Sequence, residues 1–546
     1  MSEFASIVST LSGRWVQARA ALRLLLQVAE PEPVDYPFVP SDIAQLQRAC
    51  ADPAAPAIDA QTWSDLLLAR YSALLSHEVS IFGQQVLHQR LRDGLGEAEC
   101  QALGGRVRTL MADPALLDQL RADSSCLRRA DSDIAALLFA AEPPPEPGWL
   151  RSWWLMPLGL LASVAGVLWT PFAWLGAGYA MYRLIALQMR FHETVQEWER
   201  SALALQMLLR ACSLLGTRRH HLLGAHVALA AQAGTLNRSL SRSLLDPIPG
   251  WRLYADWFML ANVRRYFYGL RLAHAQRDFL RACYLACASL EADIALARHL
   301  LRAPVSCWAQ RHEDADIVLE QVVHPLLDGA VPLDLGLHGK GAFISGQNGS
   351  GKSTLLRTIG LNLVVARAFG FCYAASARVP ALPVYASMQS EDSLLGGESL
   401  YMAELRRATE LLAAADGPHG GIYIIDEIFR GTNHLESVSA AAAVLNALAA
   451  KGTVIVSSHN LVLASLLEHR LAPLCVMAGG GKLALMPGVL AHTNGIALLA
   501  AHSFGADIEA NASKVFDWLG AYLAHPAGAG QVLGKPGVSA DIRTNK

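Results

Sequence analysis

The sequence predicts an α/β domain with a mainly parallel sheet in its C-terminal part, preceded by segments that are helical throughout. Three observations lead to this fold class. An apolar run at 342–344 leads into a glycine-rich loop and then into apolar residues at helical spacing. Two further apolar stretches, 421–426 and 452–457, alternate with helical patterns, as in parallel sheets whose ligands lie at the carboxyl ends of the strands. Before residue 310, leucine, alanine and arginine recur at helical spacing.

Residues 1–142 are predicted to form a helical N-terminal domain. His77 and His88 are isolated within it, and such histidines are more often surface or core residues than catalytic ones. Residues 1–28 are punctuated by arginine and lack the apolar core of a secretory signal. Residues 143–151 are predicted to be a stiff linker, because prolines fix φ and cannot continue a helix.

Residues 152–187 are predicted to form a transmembrane hairpin. No charged residue occurs between Ser152 and Tyr182, and a helix that is apolar on every face lies in lipid or deep in a core. The stretch is long for one span of about 20 residues and short for two, and Thr170-Pro171 offers a turn. Arginines flank both ends, as expected of a hairpin whose ends stay on the cytoplasmic side. The alternative is a buried apolar hairpin in a soluble protein.

Residues 188–309 are predicted to form long amphipathic helices that serve as a lever or core domain. Between Arg238 and Arg281, eight arginines face three aspartates and are interleaved with aromatic residues. One interpretation is a phosphate-binding face for nucleic acid or lipid headgroups. The other is a bundle with aromatic residues inside and solvated arginines outside. The second is favoured, because the segment has no lysine and no base-reading motif.

The glycine-rich loop reads Gly346-x4-Gly351-Lys352-Ser353, a complete Walker A motif in the strand–loop–helix context that the motif requires. Glycines let successive backbone N–H groups turn towards an anion, and the helix N-terminus adds partial positive charge. Lys352 is expected to reach the β- and γ-phosphates of ATP, and Ser353 to ligate Mg²⁺. The predicted nucleotide-binding residues of the loop are Gly346, Asn348, Gly349, Ser350, Gly351, Lys352, Ser353 and Thr354.

Two later strands are predicted to end in the remaining catalytic groups. The stretch 421–426 ends in Asp426, which can hold Mg²⁺, and is followed by Glu427, which is placed to orient or deprotonate the attacking water. The stretch 452–457 is followed by His459, which could contact the γ-phosphate or that water. With the loop upstream, these carboxylates are interpreted as catalytic residues rather than a solvated turn.

Composition sets broad limits. The 546 residues predict roughly three or four folding units. A formal net charge of −2 gives no overall attraction to nucleic acid. A hydrophobic content of 53% with 17% charged residues is high for a soluble protein, and its source is the apolar stretch at 152–187. The nine cysteines are scattered, which predicts reduced thiols in a protein that faces the cytosol.

Several ordered motifs over residues 285–525 resemble the MutS family of ABC-type ATPases. Asp392–Leu405, here named the signature-like segment, is similar to the family's Gly-x-Ser-x-Phe/Tyr-Met-x-Glu-Met region. Residues 426–432 read Asp-Glu-Ile-Phe-Arg-Gly-Thr, beside the family's Asp-Glu-Ile-Gly-Arg-Gly-Thr. The remaining similarities are Ser458-His459 to its Thr-His switch, His324-Pro325 to its Arg-His-Pro, Glu291–Ala297 to its connector helix, and Asn494–Ala500 to its C-terminal dimer element.

The resemblance implies a dimer with composite ATP sites. Lys352, Ser353 and Asp426 would act in cis, while Ser399 of the signature-like segment would complete the γ-phosphate contacts of the partner subunit. His324 would border the adenine. The ATPase domain with its dimerisation element would occupy residues 310–524, followed by a flexible tail at 525–546.

The chain also departs from the family pattern. Gln347 stands where the family usually has proline, Phe429 replaces a glycine, and Asn433–Glu436 lacks the usual Ser/Thr-x-Asp pattern of the subunit-coupling loop. The first 150 residues contain no Phe-x-Glu mismatch-reading motif. A standard mismatch sensor is therefore not expected.

The sequence thus predicts a MutS-like, Mg²⁺-dependent ATPase that works as a homodimer at the cytoplasmic (inner) membrane, with the N-terminal and ATPase domains on the cytoplasmic side. Its molecular activity is predicted to be that of a clamp on double-stranded DNA. The alternative is an ATP-driven switch that acts on an unknown protein partner or on lipid without DNA.

Overall fold

The structure, a computed structural model, describes residues 37–52, 56–140, 145–240, 251–312, 314–388, 400–418, 420–431, 433–479, 482–490 and 510–515. Short helices form the N-terminal region, and several have clear start signals. Asp59 accepts a hydrogen bond from the Thr62 N–H at 2.7 Å, and Asp113, followed by Pro114, accepts one from the Leu116 N–H at 3.0 Å. The helices are α1 Pro40–Ile43, α2 Gln45–Cys50, α3 Ala60–Asp65, α4 Leu68–Leu75, α5 Ile81–Asp93, α6 Glu97–Ala112 and α7 Pro114–Ser124.

The predicted hairpin is present as two helices, α8 Leu155–Gly166 and the first part of α9 Ala173–Leu215. A short turn joins them, in which the Trp169 and Thr170 N–H groups both donate to Gly166 O at 2.9 Å. Among the described residues, no helix combines the length and the apolar character that crossing a membrane needs. The prediction that the hairpin crosses a membrane is therefore not supported by its helices.

The predicted lever consists of the rest of α9 followed by α10 Gly224–Leu240, α11 Trp251–Met259, α12 Ala261–Ala275 and α13 Arg277–Arg302. Aromatic residues such as Tyr266 and Phe267 are buried in this bundle. Described arginines of the segment make intramolecular contacts: Arg265 pairs with Asp256 at 2.6 Å, and the Arg281 guanidinium donates to Leu138 O at 2.7 Å. Tyr266 and Phe267 thus pack inside, as favoured, whereas Tyr254, Trp257, Phe258 and Tyr268 are exposed. The arginines named here also hold the fold together.

The C-terminal part contains a six-stranded sheet of order β12-β11-β5-β10-β9-β8, in which β12 alone runs antiparallel to its neighbour. This confirms the predicted α/β domain with a mainly parallel sheet. Its strands are β5 Gly341–Gly346, β8 Val384–Ser387, β9 Ile422–Asp426, β10 Thr453–Ser457, β11 Leu471–Gly479 and β12 Lys482–Pro487. The helices of this part are α14 Lys352–Phe369, α15 Leu400–Ala415, α16 His434–Ala449 and α17 Val462–Leu466.

A second, four-stranded sheet has the order β2-β7-β3-β4, and a two-stranded pair joins β1 to β6. These strands are β1 Cys307–Trp308, β2 Gln310–His312, β3 Ile317–Val322, β4 Leu333–Leu337, β6 Phe371–Cys372 and β7 Ser376–Pro380. One continuous apolar core is formed by the N-terminal helices, the lever, which includes α13, and both larger sheets. The Tyr71 and Tyr373 hydroxyls, 2.8 Å apart and buried, mark this contact. The N-terminal region therefore packs directly on the sheet domain.

Helix α13 carries two buried carboxylates that bind the N-terminal helices. Asp293 pairs with Arg90 at 2.8 Å and with Arg106 at 2.6 Å. Glu291 accepts hydrogen bonds from the Ser80 N–H, at 2.9 Å, and from the Ser80 hydroxyl. Burial raises the pKa of Glu291 to about 7. Because buried charges must be paired or hydrogen-bonded, these contacts fix α13 against α5 and α6.

Candidate active site

The phosphate loop lies between β5 and α14 and depends on its glycines. Every residue of β5 is buried, and a Cβ on Gly341 would lie 2.0 Å from Val454 O of the adjacent strand. In the loop, Gly349 and Gly351 have φ values of 75° and 88°. This left-handed conformation is easily adopted only by glycine and turns the loop's N–H groups towards a common anion. The local sequence thus builds a phosphate cradle at the start of α14.

The structure brings most of the predicted site residues to one open cavity of about 340 Å³. Gly346 ends β5 beneath the loop, where a Cβ would meet the Ser350 hydroxyl at 2.8 Å. The ends of β9 and β10 both reach the cavity because the two strands are parallel neighbours whose carboxyl ends lie at the same edge. The lining residues are Asn348, Gly349, Ser350, Gly351, Lys352, Ser353, Thr354, Asp426, Glu427 and His459.

The Lys352 amine is held inside the loop. Its Nζ donates to Gly346 O at 3.0 Å and to Gln347 O at 3.1 Å, and the side chain is buried. Burial lowers the pKa of Lys352, while the nearby Glu427 and Asp426 carboxylates act in the opposite direction. The buried Ser350 hydroxyl has no hydrogen-bond partner among the described residues. A cation and a hydroxyl donor are thus positioned for an anion in the cradle.

Asp426, at the end of β9, is buried and accepts a hydrogen bond from the Ser457 hydroxyl of β10. With Ser353 on the same cavity, it offers oxygen ligands of the kind that Mg²⁺ prefers. The described residues contain no group of three or more histidine, cysteine or acidic side chains that could hold a metal alone. The donor set therefore suits Mg²⁺ bound jointly with nucleotide phosphates and water.

Glu427 is held in an uncommon backbone conformation, with φ of 57°. Its N–H donates to Ser457 O at 3.0 Å, which ties the residue to the end of β10. One carboxylate oxygen lies 2.8 Å from His459 Nε2, and the other lies 3.4 Å from Arg430 Nε. The carboxylate is thus directed into the cavity between two nitrogen donors.

Arg430 and Glu404 form a connection that the sequence analysis missed. The Glu404 carboxylate accepts hydrogen bonds from the Arg430 N–H at 2.9 Å and the Gly431 N–H at 3.4 Å. It also lies 3.8 Å from Arg430 Nε. Because Glu404 belongs to the signature-like segment, Arg430 links that segment to Glu427. The two motifs were recognised separately, and their spacing gives no sign of this contact.

Phe429 also has a φ of 57° and is buried. Its ring packs edge-on against Tyr401 with centroids 6.1 Å apart, and its carbonyl accepts a hydrogen bond from the Ser437 hydroxyl. The position therefore has the backbone conformation that favours glycine, the residue of the resembling family, but is filled by a large apolar side chain.

His324 lies elsewhere. It lines a separate cavity of about 810 Å³, which shares no lining residue with the phosphate-loop cavity. Its Nδ1 accepts a hydrogen bond from the Leu326 N–H at 3.2 Å, and burial lowers its pKa to about 4. The structure therefore does not bring His324 to the phosphate loop. Ser399, Asn494–Ala500 and the predicted tail at 525–546 lie outside the described residues.

Helix α3 of the N-terminal region contacts the chain on both sides of residues 389–399. Before them, the Met388 N–H donates to the Asp65 carboxylate at 2.9 Å. After them, the buried Arg407 guanidinium lies 3.2 Å from Asp59 and 3.1 Å from the Thr62 hydroxyl. We name this set of contacts the α3 clamp. No local sequence pattern predicts it, since the partners are more than 300 residues apart.

Comparison with known proteins finds the same region. Residues 342–478 match the family model of MutS domain V. The chain is 29% identical over 209 residues to the DNA mismatch repair protein MutS of Thermus aquaticus, covering 36% of this chain and 26% of that protein. It is 35% identical over 168 residues to the endonuclease MutS2 of Thermus thermophilus, covering 30% and 21%. It is 32% identical over 176 residues to the mismatch repair protein msh3 of Emericella nidulans, covering 31% and 16%.

The matched region spans about a quarter or less of the length of these relatives. It nevertheless contains β5, the phosphate loop, β9 with its carboxylates and β10 with His459. Residues 342–478 are therefore similar to MutS domain V, and this similarity is confined to the domain that carries the phosphate loop.

Proposed function

We propose that the chain is a Mg²⁺-dependent ATPase of the MutS type that works as a homodimer. The observation that supports this most directly is the single cavity lined by the phosphate loop, Asp426, Glu427 and His459. A phosphate anion, a magnesium ion and an attacking water each have a suitable residue there.

In this proposal the loop N–H groups and the N-terminus of α14 bind the β- and γ-phosphates. When ATP binds, Lys352 exchanges its contacts with the Gly346 and Gln347 carbonyls for contacts with phosphate oxygens. Carbonyl and phosphate oxygens both accept hydrogen bonds, and the charged phosphate is the stronger acceptor. Ser353 and Asp426 hold Mg²⁺, which supplies neutralising charge on the phosphates.

Glu427 accepts a proton from the attacking water, and His459, at hydrogen-bond distance from that carboxylate, orients it. Ser399 of the partner subunit contacts the γ-phosphate and completes the site. The cavity is not enclosed, which leaves room for such a contribution. His324, which lines the separate larger cavity, is proposed to border the adenine.

The test of this site separates binding from hydrolysis. Glu427→Gln should retain ATP binding and lose turnover by about 100- to 10,000-fold, the usual contribution of a general base. Lys352→Ala should weaken binding itself, and Glu468→Gln, at an exposed position of the same domain, should leave both unchanged. Binding is measured with labelled nucleotide and turnover by phosphate release. Wild-type turnover in Glu427→Gln would remove this residue from the role of base.

We further propose that the dimer is attached to the cytoplasmic membrane through residues 152–187, with the N-terminal and ATPase domains on the cytoplasmic side. The support is the exposure of large apolar side chains along this hairpin, including Leu168 and Trp169, which are 85% and 81% exposed. Apolar surface of this extent marks a membrane or protein contact.

The partner is proposed to be double-stranded DNA, gripped by the levers of the dimer. The support is similarity to relatives named as DNA mismatch repair proteins. A second candidate is a switch that acts on a protein or on lipid without DNA. It is favoured by the lever arginines, several of which are engaged within the chain, such as Arg265, Arg277 and Arg281.

ATP turnover of detergent-purified protein, with and without duplex DNA at low and physiological salt, separates these candidates. Stimulation that declines steeply with salt supports the clamp, because phosphate contacts release counterions. A rate that is indifferent to DNA supports the second candidate.

A further inference from the structure

The hairpin has its large side chains on the outside and small residues at its helix–helix contact. Where α8 and α9 meet, a Cβ on Gly176 would lie 2.7 Å from the Ser163 hydroxyl, and a Cβ on Gly166 would lie 3.3 Å from Ala173. A helix pair in water buries its large apolar side chains instead. Close contact through small residues is typical of helix pairs surrounded by lipid, where burying leucine gains nothing.

The exposed side chains of the hairpin are apolar or aromatic almost without exception. The large ones are Trp154, Leu155, Leu158, Leu161, Val164, Leu168, Trp169, Phe172, Trp174, Leu175, Tyr179, Met181, Tyr182 and Ile185. The backbone of the turn satisfies its own hydrogen bonds, with Ala173 N–H donating to Thr170 O and Leu175 N–H to Phe172 O. Internal hydrogen bonding is what a lipid environment demands of a backbone.

The length of the hairpin fits half of a bilayer. Helix α8 has 12 residues, or about 18 Å at the α-helical rise. The uncharged start of α9, from Ala173 to the residue before Arg183, is about 15 Å long. The hydrocarbon core of a bilayer is about 30 Å thick, so each helix reaches about the midplane.

The base of the hairpin has the features of a membrane–water interface. Arg151, Arg183 and Arg190 are exposed there. A small apolar cluster formed by Leu184, Leu187 and Leu260 holds the base to the bundle. Arginines at this level can contact lipid phosphates, and anionic lipid attracts them.

Helix α11 lies beside the same level, because the Gln188 amide donates to Asp256 O and bonds to Asn262 at 3.1 Å. It exposes a row of large side chains, Tyr254, Trp257, Phe258 and Met259. Aromatic residues in such a row are enriched at membrane interfaces. The hairpin and α11 thus form one surface, in which the hairpin is the apolar protruding part and α11 contributes exposed aromatic side chains beside its base.

We propose that this surface binds a bilayer leaflet that contains anionic phospholipid, and that the hairpin enters only that leaflet, with its tip at 168–175 near the midplane. The proposal rests on the membrane attachment proposed above and deepens it: the hairpin is embedded in one leaflet and does not span. Residues 151–153 and 183–190 then lie at the lipid phosphates, and α11 lies flat in the headgroup layer.

Binding is tested with full-length protein and phospholipid vesicles. Wild-type protein should float with vesicles of phosphatidylcholine and phosphatidylglycerol, and less with phosphatidylcholine alone. Trp169→Asp should reduce flotation at least tenfold, because a carboxylate would enter hydrocarbon. Val227→Asp on α10, an equally apolar exposed position outside the surface, is the matched control and should bind like wild type. Unchanged ATP turnover in both variants shows that each is folded.

Depth is tested with a fluorophore attached at Thr170→Cys in a Cys50→Ser background, which removes the exposed native thiol. Spin labels at the lipid chain ends should quench it more than labels at the headgroups, and a quencher trapped in the vesicle lumen should have no effect. Quenching from the lumen would show a spanning hairpin and overturn the one-leaflet insertion while keeping membrane attachment. Absence of wild-type flotation would overturn both proposals, and neither result affects the ATPase proposal.

Discussion

Glu427 depends on neighbours from two different motifs. Its carboxylate lies between His459 and Arg430, and Arg430 in turn binds Glu404 of the signature-like segment. An ion pair at 3.4 Å whose guanidinium is 36% exposed contributes up to about 1 kcal/mol, which corresponds to about a fivefold effect on rate if it is lost in the transition state. In the proposed site, Arg430 would therefore position the Glu427 carboxylate.

Arg430→Ala should lower kcat by about two- to fivefold and leave the KM for ATP nearly unchanged, since Arg430 does not line the phosphate-loop cavity. Glu404→Gln should have a smaller effect, and the double variant should be no worse than Arg430→Ala alone. Steady-state kinetics of the four proteins measure this coupling. Additive losses would contradict a shared path, and Arg470→Ala, at an exposed arginine of the same domain, is the control.

Replacing Phe429 by glycine has two opposing effects on stability. A left-handed conformation costs a non-glycine residue about 1–2 kcal/mol, which Phe429→Gly would relieve. Removing a buried phenylalanine costs about 3–5 kcal/mol. The variant should therefore be less stable by about 2 kcal/mol, seen as a lower midpoint of denaturant unfolding. If Phe429→Gly were as stable as wild type, the ring would be shown to pack loosely. The stability of Phe429→Leu should lie between those of wild type and Phe429→Gly.

At the scale of single residues, the sequence predicts the site where its chemistry is local. The loop glycines, Lys352 and Asp426 are recognisable because each lies within a few residues of the strand that positions it. The Arg430–Glu404 contact was missed because it joins residues 26 positions apart through a turn in a left-handed conformation. The position of His324 depends on how β3 and β4 pack, which no local pattern specifies.

Among the elements, α13 has a buried carboxyl group that should make stability depend on pH. Burial raises the pKa of Glu291 to about 7, above the ordinary value of 4.5, so the folded protein holds this proton more tightly than the unfolded chain. The stabilisation is fully present below pH 4.5 and is lost as pH rises through about 7.

Glu291→Gln should remove this contribution, because an amide of the same shape keeps a hydrogen bond to Ser80 without titrating. As the pH rises from 5 to 8, the denaturant midpoint of wild type should decrease relative to that of the variant. Chemical denaturation at a series of pH values measures this difference. A constant difference would show that Glu291 keeps the same protonation state over this range, and Glu468→Gln, at an exposed position, should follow wild type.

Element types were predictable where periodicity is long, as in α9 and α13, and where an apolar strand precedes a polar motif, as in β5 and β9. The hairpin was predicted and is present as two helices. Neither helix, however, has an apolar part as long as a bilayer is thick. The length of α8 is set by the turn near Thr170-Pro171, which divides an apolar run long enough for one span.

For the whole molecule, the proposed dimer makes a test of shared sites possible. Lys352→Ala and Ser399→Ala should each impair turnover in homodimers. A mixed dimer of the two variants has one site with both defects and one with neither, and should recover about half of wild-type turnover if Ser399 acts in trans. Co-purified, differently tagged chains measure this recovery. No recovery would place both residues in the same chain's site or exclude the dimer.

Whether the N-terminal region folds independently of the sheets could not have been judged from the sequence. Its helices share a core with the sheets through residues such as Tyr71 and Leu66, which are separated by hundreds of positions from their partners. Burial of this kind is a property of packing between distant segments, whereas periodicity reports only which face of an element is apolar.

The α3 clamp has a thermodynamic consequence. Asp65 and Asp59 hold the chain before and after residues 389–399, the stretch that contains Ser399. If ATP on the partner subunit changes the position of this stretch, it changes the free energy of the α3 contacts as well. Suppose that the N-terminal helices bind a molecule in a way that shifts α3. Reciprocity then requires that this molecule changes the affinity for ATP by the same factor by which ATP changes the affinity for the molecule. In the proposed dimer, a molecule bound by the N-terminal helices would then respond to the nucleotide bound at the opposite subunit and would also change the affinity for that nucleotide.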